Sequence, residues 1–70
     1  MMSDVEADAE EIMGDARPDD QGFIVGYIKT TMGLGLVDLA LAVARKASIR
    51  WPENEELVRW ARMARDIYDE

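Results

Sequence analysis

The stretch GFIVGYIKTTMGLGLVDLALAVARKA, residues 22–47, decides how this chain folds. Its first part reads two ways, because Phe23, Ile24, Val25, Tyr27 and Ile28 are strand formers as well as core residues. A strand needs a pairing partner, and nothing else in the chain reads as a strand. The run is therefore predicted to be a helix. Gly33-Leu34-Gly35 closes it, since two glycines around one apolar residue mark a helix C-terminus and a tight turn. From Leu36 to Ala47 the chain is apolar on nearly every side until Arg45, the pattern of a buried central helix. Ala40, Ala44 and Ala47 form a small-residue stripe that lets another helix approach. Arg45, Lys46 and Arg50 suit the C-terminal dipole of that helix.

Phe23 to Ala44 is also a largely apolar run of 22 residues, about the length that spans a bilayer. Against this, Lys29 and Asp38 would each cost about 2.5–3.5 kcal/mol at mid-membrane. Gly26, Gly33 and Gly35 fit a helical hairpin better.

Toward the C-terminus, Trp51-Pro52 breaks the chain, and Pro52 suits the first turn of a helix. Leu57, Trp60, Ala61, Ala64, Ile67 and Tyr68 follow helical spacing. On the other face Glu55 and Arg59, Arg62 and Asp66, and Arg65 and Asp69 stand four apart, as ion pairs do on a helix. Toward the N-terminus, Arg17-Pro18-Asp19-Asp20 marks a turn and a helix start. Before it, Val5, Ala9, Ile12, Met13 and Ala16 form a thin apolar stripe, with Ser3 or Asp4 as a cap and Gly14 near its end. The expected architecture is all-α: a small helical bundle, or a helical hairpin plus a C-terminal helix. Residues 19–70 form the helical domain, with main helices near 19–33, 35–48 and 52–69. Residues 1–18 are a loosely ordered acidic arm or short helix.

Residues 21–54 resemble one tetratricopeptide repeat. Candidate helices flank Gly33–Gly35, Ala40 and Ala47 match two alanine positions, and Pro52 stands where the repeat has its proline. Ile28 and Thr31 depart from the pattern, where a small residue and an aromatic are usual. The resemblance implies a helical hairpin and assigns no binding residues.

The chain has 70 residues, 15 acids, 8 bases, and a net charge of −7. Residues 1–20 hold eight acids (Asp4, Glu6, Asp8, Glu10, Glu11, Asp15, Asp19 and Asp20) against Arg17 alone. Residues 21–51 are net +3, and residues 52–70 net −3. Such a chain is repelled by nucleic-acid phosphates and anionic lipid, so neither direct nucleic-acid binding nor a membrane location is expected. The acidic first twenty residues lack the apolar core of a signal peptide, and a cytoplasmic location is expected.

Chemistry is narrowed by what is missing. There is no Cys and no His, so no disulfide, thiolate zinc site or Ser–His or Cys–His pair can form. The glycines lack the preceding strand and the lysine of a phosphate loop. Asp15, Asp19 and Asp20 are interrupted by Pro18 and fail the calcium-loop spacing. Acyl carrier proteins need a serine between Asp and Leu at a helix start, and Val37-Asp38-Leu39 has none. No catalytic, metal or cofactor site is expected.

Size points to association. Ordering 70 residues costs roughly 105 kcal/mol at about 1.5 each, and about 4,100 Å² of buried apolar surface at about 25 cal/mol per Å² only balances it. The reading that follows is a non-enzymatic protein-interaction module, such as a small subunit, adaptor or assembly chaperone. It would work through an apolar helical surface on a protein partner or a second copy. The alternative is an acidic inhibitor, such as a phage-encoded one, that mimics nucleic acid or blocks a basic protein surface. Candidate partner-binding residues are Phe23, Tyr27, Asp38, Trp51, Trp60 and Tyr68, the aromatics being equally suited to a core. The eight N-terminal acids are the candidate acidic surface. Asp38 either complements the dipole of its own helix or pairs with Lys29 or with a partner's arginine.

Overall fold

The turn between the second and third helices shows why the decisive stretch folds as it does. In the computed structural model, which describes residues 4–69, α1 is Asp4–Gly14, α2 Gln21–Gly33, α3 Val37–Arg50 and α4 Glu55–Tyr68. One 3₁₀ turn, Pro18–Asp20, leads into α2, and the described residues include no strand. Gly35 takes φ +82°, the left-handed conformation that side chains resist. The Gly35 N–H donates to the Met32 carbonyl at 3.1 Å and the Leu36 N–H to the Thr31 carbonyl at 2.9 Å. Together these are the two bonds of a Schellman cap. Thr31 is buried at no polar cost, because its hydroxyl donates to the carbonyls of Tyr27 and Ile28.

The all-α expectation holds, and residues 22–32 are helical. The last helix starts three residues later than Pro52 suggests. Pro52 and Glu53 lie in a turn, and Asn54 is the cap. Its side-chain oxygen accepts from the Glu56 and Leu57 N–H groups at 3.1 and 3.2 Å. Its amide donates to Gln21 Oε1 at 2.6 Å, tying the start of α4 to the start of α2.

One apolar cluster runs through the molecule. It includes Met13 from α1, Ile24 and Ile28 from α2, Val43 and Ala44 from α3, and Leu57 from α4. α3 is central: α1, α2 and α4 all pack on it, and α2 also touches α4. Ala40, Ala44 and Ala47 are fully buried, which is the close approach their small size permits.

The acidic N-terminal segment is helical over Asp4–Gly14 and docks through Ala9 and Met13. Ser3, one candidate for its cap, lies outside the described residues. The cations near the end of α3 turn outward to hold α1. Lys46 Nζ lies 3.0 Å from Glu10 Oε1 and 3.7 Å from Glu6 Oε2. Arg50 Nη1 donates to the Met13 carbonyl at 2.6 Å and the Ala16 carbonyl at 3.2 Å. It thereby caps the C-terminal end of α1 with a positive charge. With α1 folded in, the radius of gyration is 11.0 Å, matching the roughly 11 Å of a compact domain this long.

Candidate interaction surface

α2 buries Ile24, Val25, Ile28 and Thr31. The opposite side exposes Gly22, Phe23, Gly26, Thr30 and Gly33. Phe23 is 69% exposed, and Leu34, one turn beyond Thr30 on the same side, is 70% exposed. The face carries no charge; Lys29, at its edge, reaches across to Glu56 at 3.6 Å. The Thr30 hydroxyl donates back to the Gly26 carbonyl at 2.9 Å. The face is thus uncharged, low in relief and marked by one protruding ring. A Cβ added at Gly22, Gly26 or Gly33 would meet nothing within 4 Å, so packing inside the chain does not require these glycines.

Tyr27 borders this face and is half-buried. Burial pushes its phenol above the ordinary value, and the nearby Asp8 charge adds to the effect. Asp8 belongs to the outer side of α1, where Asp4, Asp8, Glu11 and Asp15 recur at helical spacing, all exposed. None makes an ion pair among the described residues, whereas Glu6 and Glu10 are engaged by Lys46. Asp20 accepts the Arg17 N–H at 3.0 Å, and Asp19 is exposed. The eight acids therefore divide: some fasten the fold, and a stripe of four faces outward beside the apolar face.

The other candidate residues scatter. Trp51 is 6% exposed and belongs to the core, where it offers a partner little surface. Trp60 is half-buried and packs against the core. Asp38 lies in the first turn of α3, exposed, its Oδ1 accepting the Leu39 N–H at 2.9 Å. Lys29 is paired elsewhere, so the dipole reading of Asp38 describes its position. Tyr68 is 59% exposed at the end of α4.

Of the three ion pairs expected along α4, only Arg65 to Asp69 is within reach, at 3.8 Å. Glu55–Arg59 and Arg62–Asp66 do not form, since exposed i,i+4 partners gain only a few tenths of a kcal/mol from holding one geometry. Leu34, Leu36 and Ile49 are exposed large apolar residues that the sequence does not single out as candidate partner-binding residues. Leu34 was findable, because Phe23, Tyr27, Thr30 and Leu34 continue one helical stripe. Among the described residues no group of three acids is placed to hold a metal ion. None of the described helices is long and apolar enough to cross a membrane.

The fold and its surface define a small all-α bundle with an uncharged apolar face beside an acidic stripe. No family model, curated protein or solved structure matches the chain.

Proposed function

We propose that this chain is a non-enzymatic protein-interaction module that docks through the outer face of α2. The supporting observation is that Phe23 and Leu34 stand exposed on a helix side free of charge. The inner side of α2 packs on α3 and α4, whereas its outer side leaves Phe23 uncovered. The three glycines on its open side support the reading, since each costs about 0.5–1 kcal/mol against alanine in a helix and spares no clash inside the chain. Glycines let a partner backbone come close, and Phe23 is the kind of aromatic anchor that dominates interfaces. The role is that of a small subunit, adaptor or assembly chaperone. Light scattering across a dilution series tests it first, comparing the parent chain with Phe23→Ala. A parent mass above the monomer that falls to the monomer in the variant supports self-association through α2. For a monomeric parent, the test passes to affinity capture and mass spectrometry, and one specific partner lost in Phe23→Ala is the expected result. An assembly or partner retained by Phe23→Ala refutes docking through α2.

The second reading, an inhibitor that offers acids to a basic protein surface, is favoured by the outward stripe of Asp4, Asp8, Glu11 and Asp15. It differs in its response to salt and charge. Converting those four acids to Asn or Gln abolishes binding under this reading, and raised salt weakens it steeply. Docking through α2 is nearly indifferent to both.

A further inference from the structure

Three glycines and two large apolar residues share the outer side of α2, and their order around the helix matters. At about 100° per residue, Gly22, Gly26 and Gly33 fall within about 40° and make a flat lane. Phe23 and Leu34 stand within about 20° of each other along one border of that lane. Leu34 keeps helical register, because its N–H donates to the Thr30 carbonyl at 3.0 Å. The two side chains are exposed to nearly the same degree and lie about 16 Å apart along the axis. Lys29 closes the opposite border, and Glu56 already meets its charge at 3.6 Å.

Such a face is complementary to itself. A two-fold axis crossing α2 midway between Phe23 and Leu34 sets two copies antiparallel. The ring of each chain then falls on the Leu34 of the other. One operation covers both exposed side chains on both chains, as an isologous interface requires. Between the two contacts the glycine lanes face each other, where the missing side chains let the backbones come close. Charge favours the same occupant. A chain of net charge −7 repels its own copy wherever acids meet, and this face brings none. It equally offers a charged partner nothing to pair with.

We infer that the outer face of α2 binds a second copy of this chain, as an antiparallel two-fold dimer that seats Phe23 on the partner's Leu34. The inference rests on the reading of α2 as the docking face and names its occupant. Two helices about 20 Å long make a contact at the small end of interface sizes. The dimer is therefore expected to dissociate in the micromolar range or above.

The test is sedimentation of the full chain from micromolar to millimolar concentration, joined to cysteine cross-linking. The cross-linking is clean because the chain has no cysteine of its own. The expected result is a monomer–dimer equilibrium unmoved by salt. Phe23→Ala and Leu34→Ala should each weaken it at least tenfold with unchanged circular dichroism, since both side chains stand exposed on the fold. Gly26→Ala should weaken the dimer at least threefold while leaving the dilute monomer no less stable. Along the helix Thr30 lies about 2 Å from the proposed axis and Gly33 about 7 Å. Thr30→Cys should therefore form an interchain disulfide, and Gly33→Cys should not. A monomer at millimolar concentration overturns the second copy as occupant and leaves docking through α2 to its own capture experiment. A dimer that survives both alanine variants overturns the dimer and the α2 reading together. Cross-linking of Gly33→Cys as readily as Thr30→Cys overturns the antiparallel arrangement.

Discussion

At the residue scale, two glycines of α2 and its turn make opposite demands. Gly35 sits at φ +82°, where a side chain costs roughly 1–2 kcal/mol. Gly26 is helical and open, with nothing within 4 Å of an added Cβ. Urea denaturation should therefore show Gly35→Ala losing about 1–2 kcal/mol and Gly26→Ala gaining about 0.5–1 kcal/mol. A loss at Gly26 would mean the open face is already covered in solution. Asn54 is the other residue with a sharp prediction. Asn54→Ala should cost about 1 kcal/mol, read in the same way, because it removes the α4 cap and the link to Gln21. Residue-scale features of this kind are only partly legible beforehand. Gly35 announces itself between Gly33 and the apolar run, but Pro52 drew attention from Asn54. A proline signals that a helix starts nearby, whereas the cap is identified by which side chain meets the free N–H groups.

At the element scale, α1 takes the short-helix alternative over the loose arm. Its acidity suggests a loose arm, and its apolar stripe is thin. Its docking depends on Lys46 and Arg50, more than thirty residues away in sequence, and no periodicity reports such a contact. Arg50→Met keeps the stem and removes the charge that caps α1. It should lower stability by about 1–2 kcal/mol and reduce helix content in far-ultraviolet circular dichroism.

Alkaline pH should loosen the Lys46 contact of the same junction. Lys46 titrates above its ordinary 10.5 because it hydrogen-bonds and faces Glu10, with Glu6 adding to the field. Tyr27 titrates above its ordinary 10.0, chiefly through burial. Both values are raised on folding, so the stability they contribute is full below pH about 10 and is lost as pH rises through the folded values. Tryptophan fluorescence followed from pH 8 to 12 should be flat first and then report loosening. Lys46→Met should lose part of that alkaline response.

At the scale of the whole molecule, the helix order and the central place of α3 follow from the pattern of residues 22–47. Where the surfaces lie does not. Tyr68 and Asp38 are thirty residues apart and meet on one hollow, while Trp51, the largest candidate anchor, is consumed by the core. Interface and core draw on the same residue types, so only packing separates them. The acidic first twenty residues and the net +3 of residues 21–51 also make the charge distribution lopsided. Sedimentation at low and high salt should show whether any assembly is electrostatic. Salt-insensitive association points to α2, and association lost with added salt points to the charged surfaces.

Among the described helices α1 packs on α3 and on no other, which carries a kinetic consequence. An element fastened on one side can lift away without disturbing the packing of the other three. Hydrogen exchange should then divide the amides into two cooperative classes, with α1 opening at a lower free energy than the α2–α3–α4 unit. In the lifted state the surface of α3 that met Ala9 and Met13 would be briefly exposed to water. The contacts of Lys46 and Arg50 with α1 therefore govern how often this small chain shows its interior.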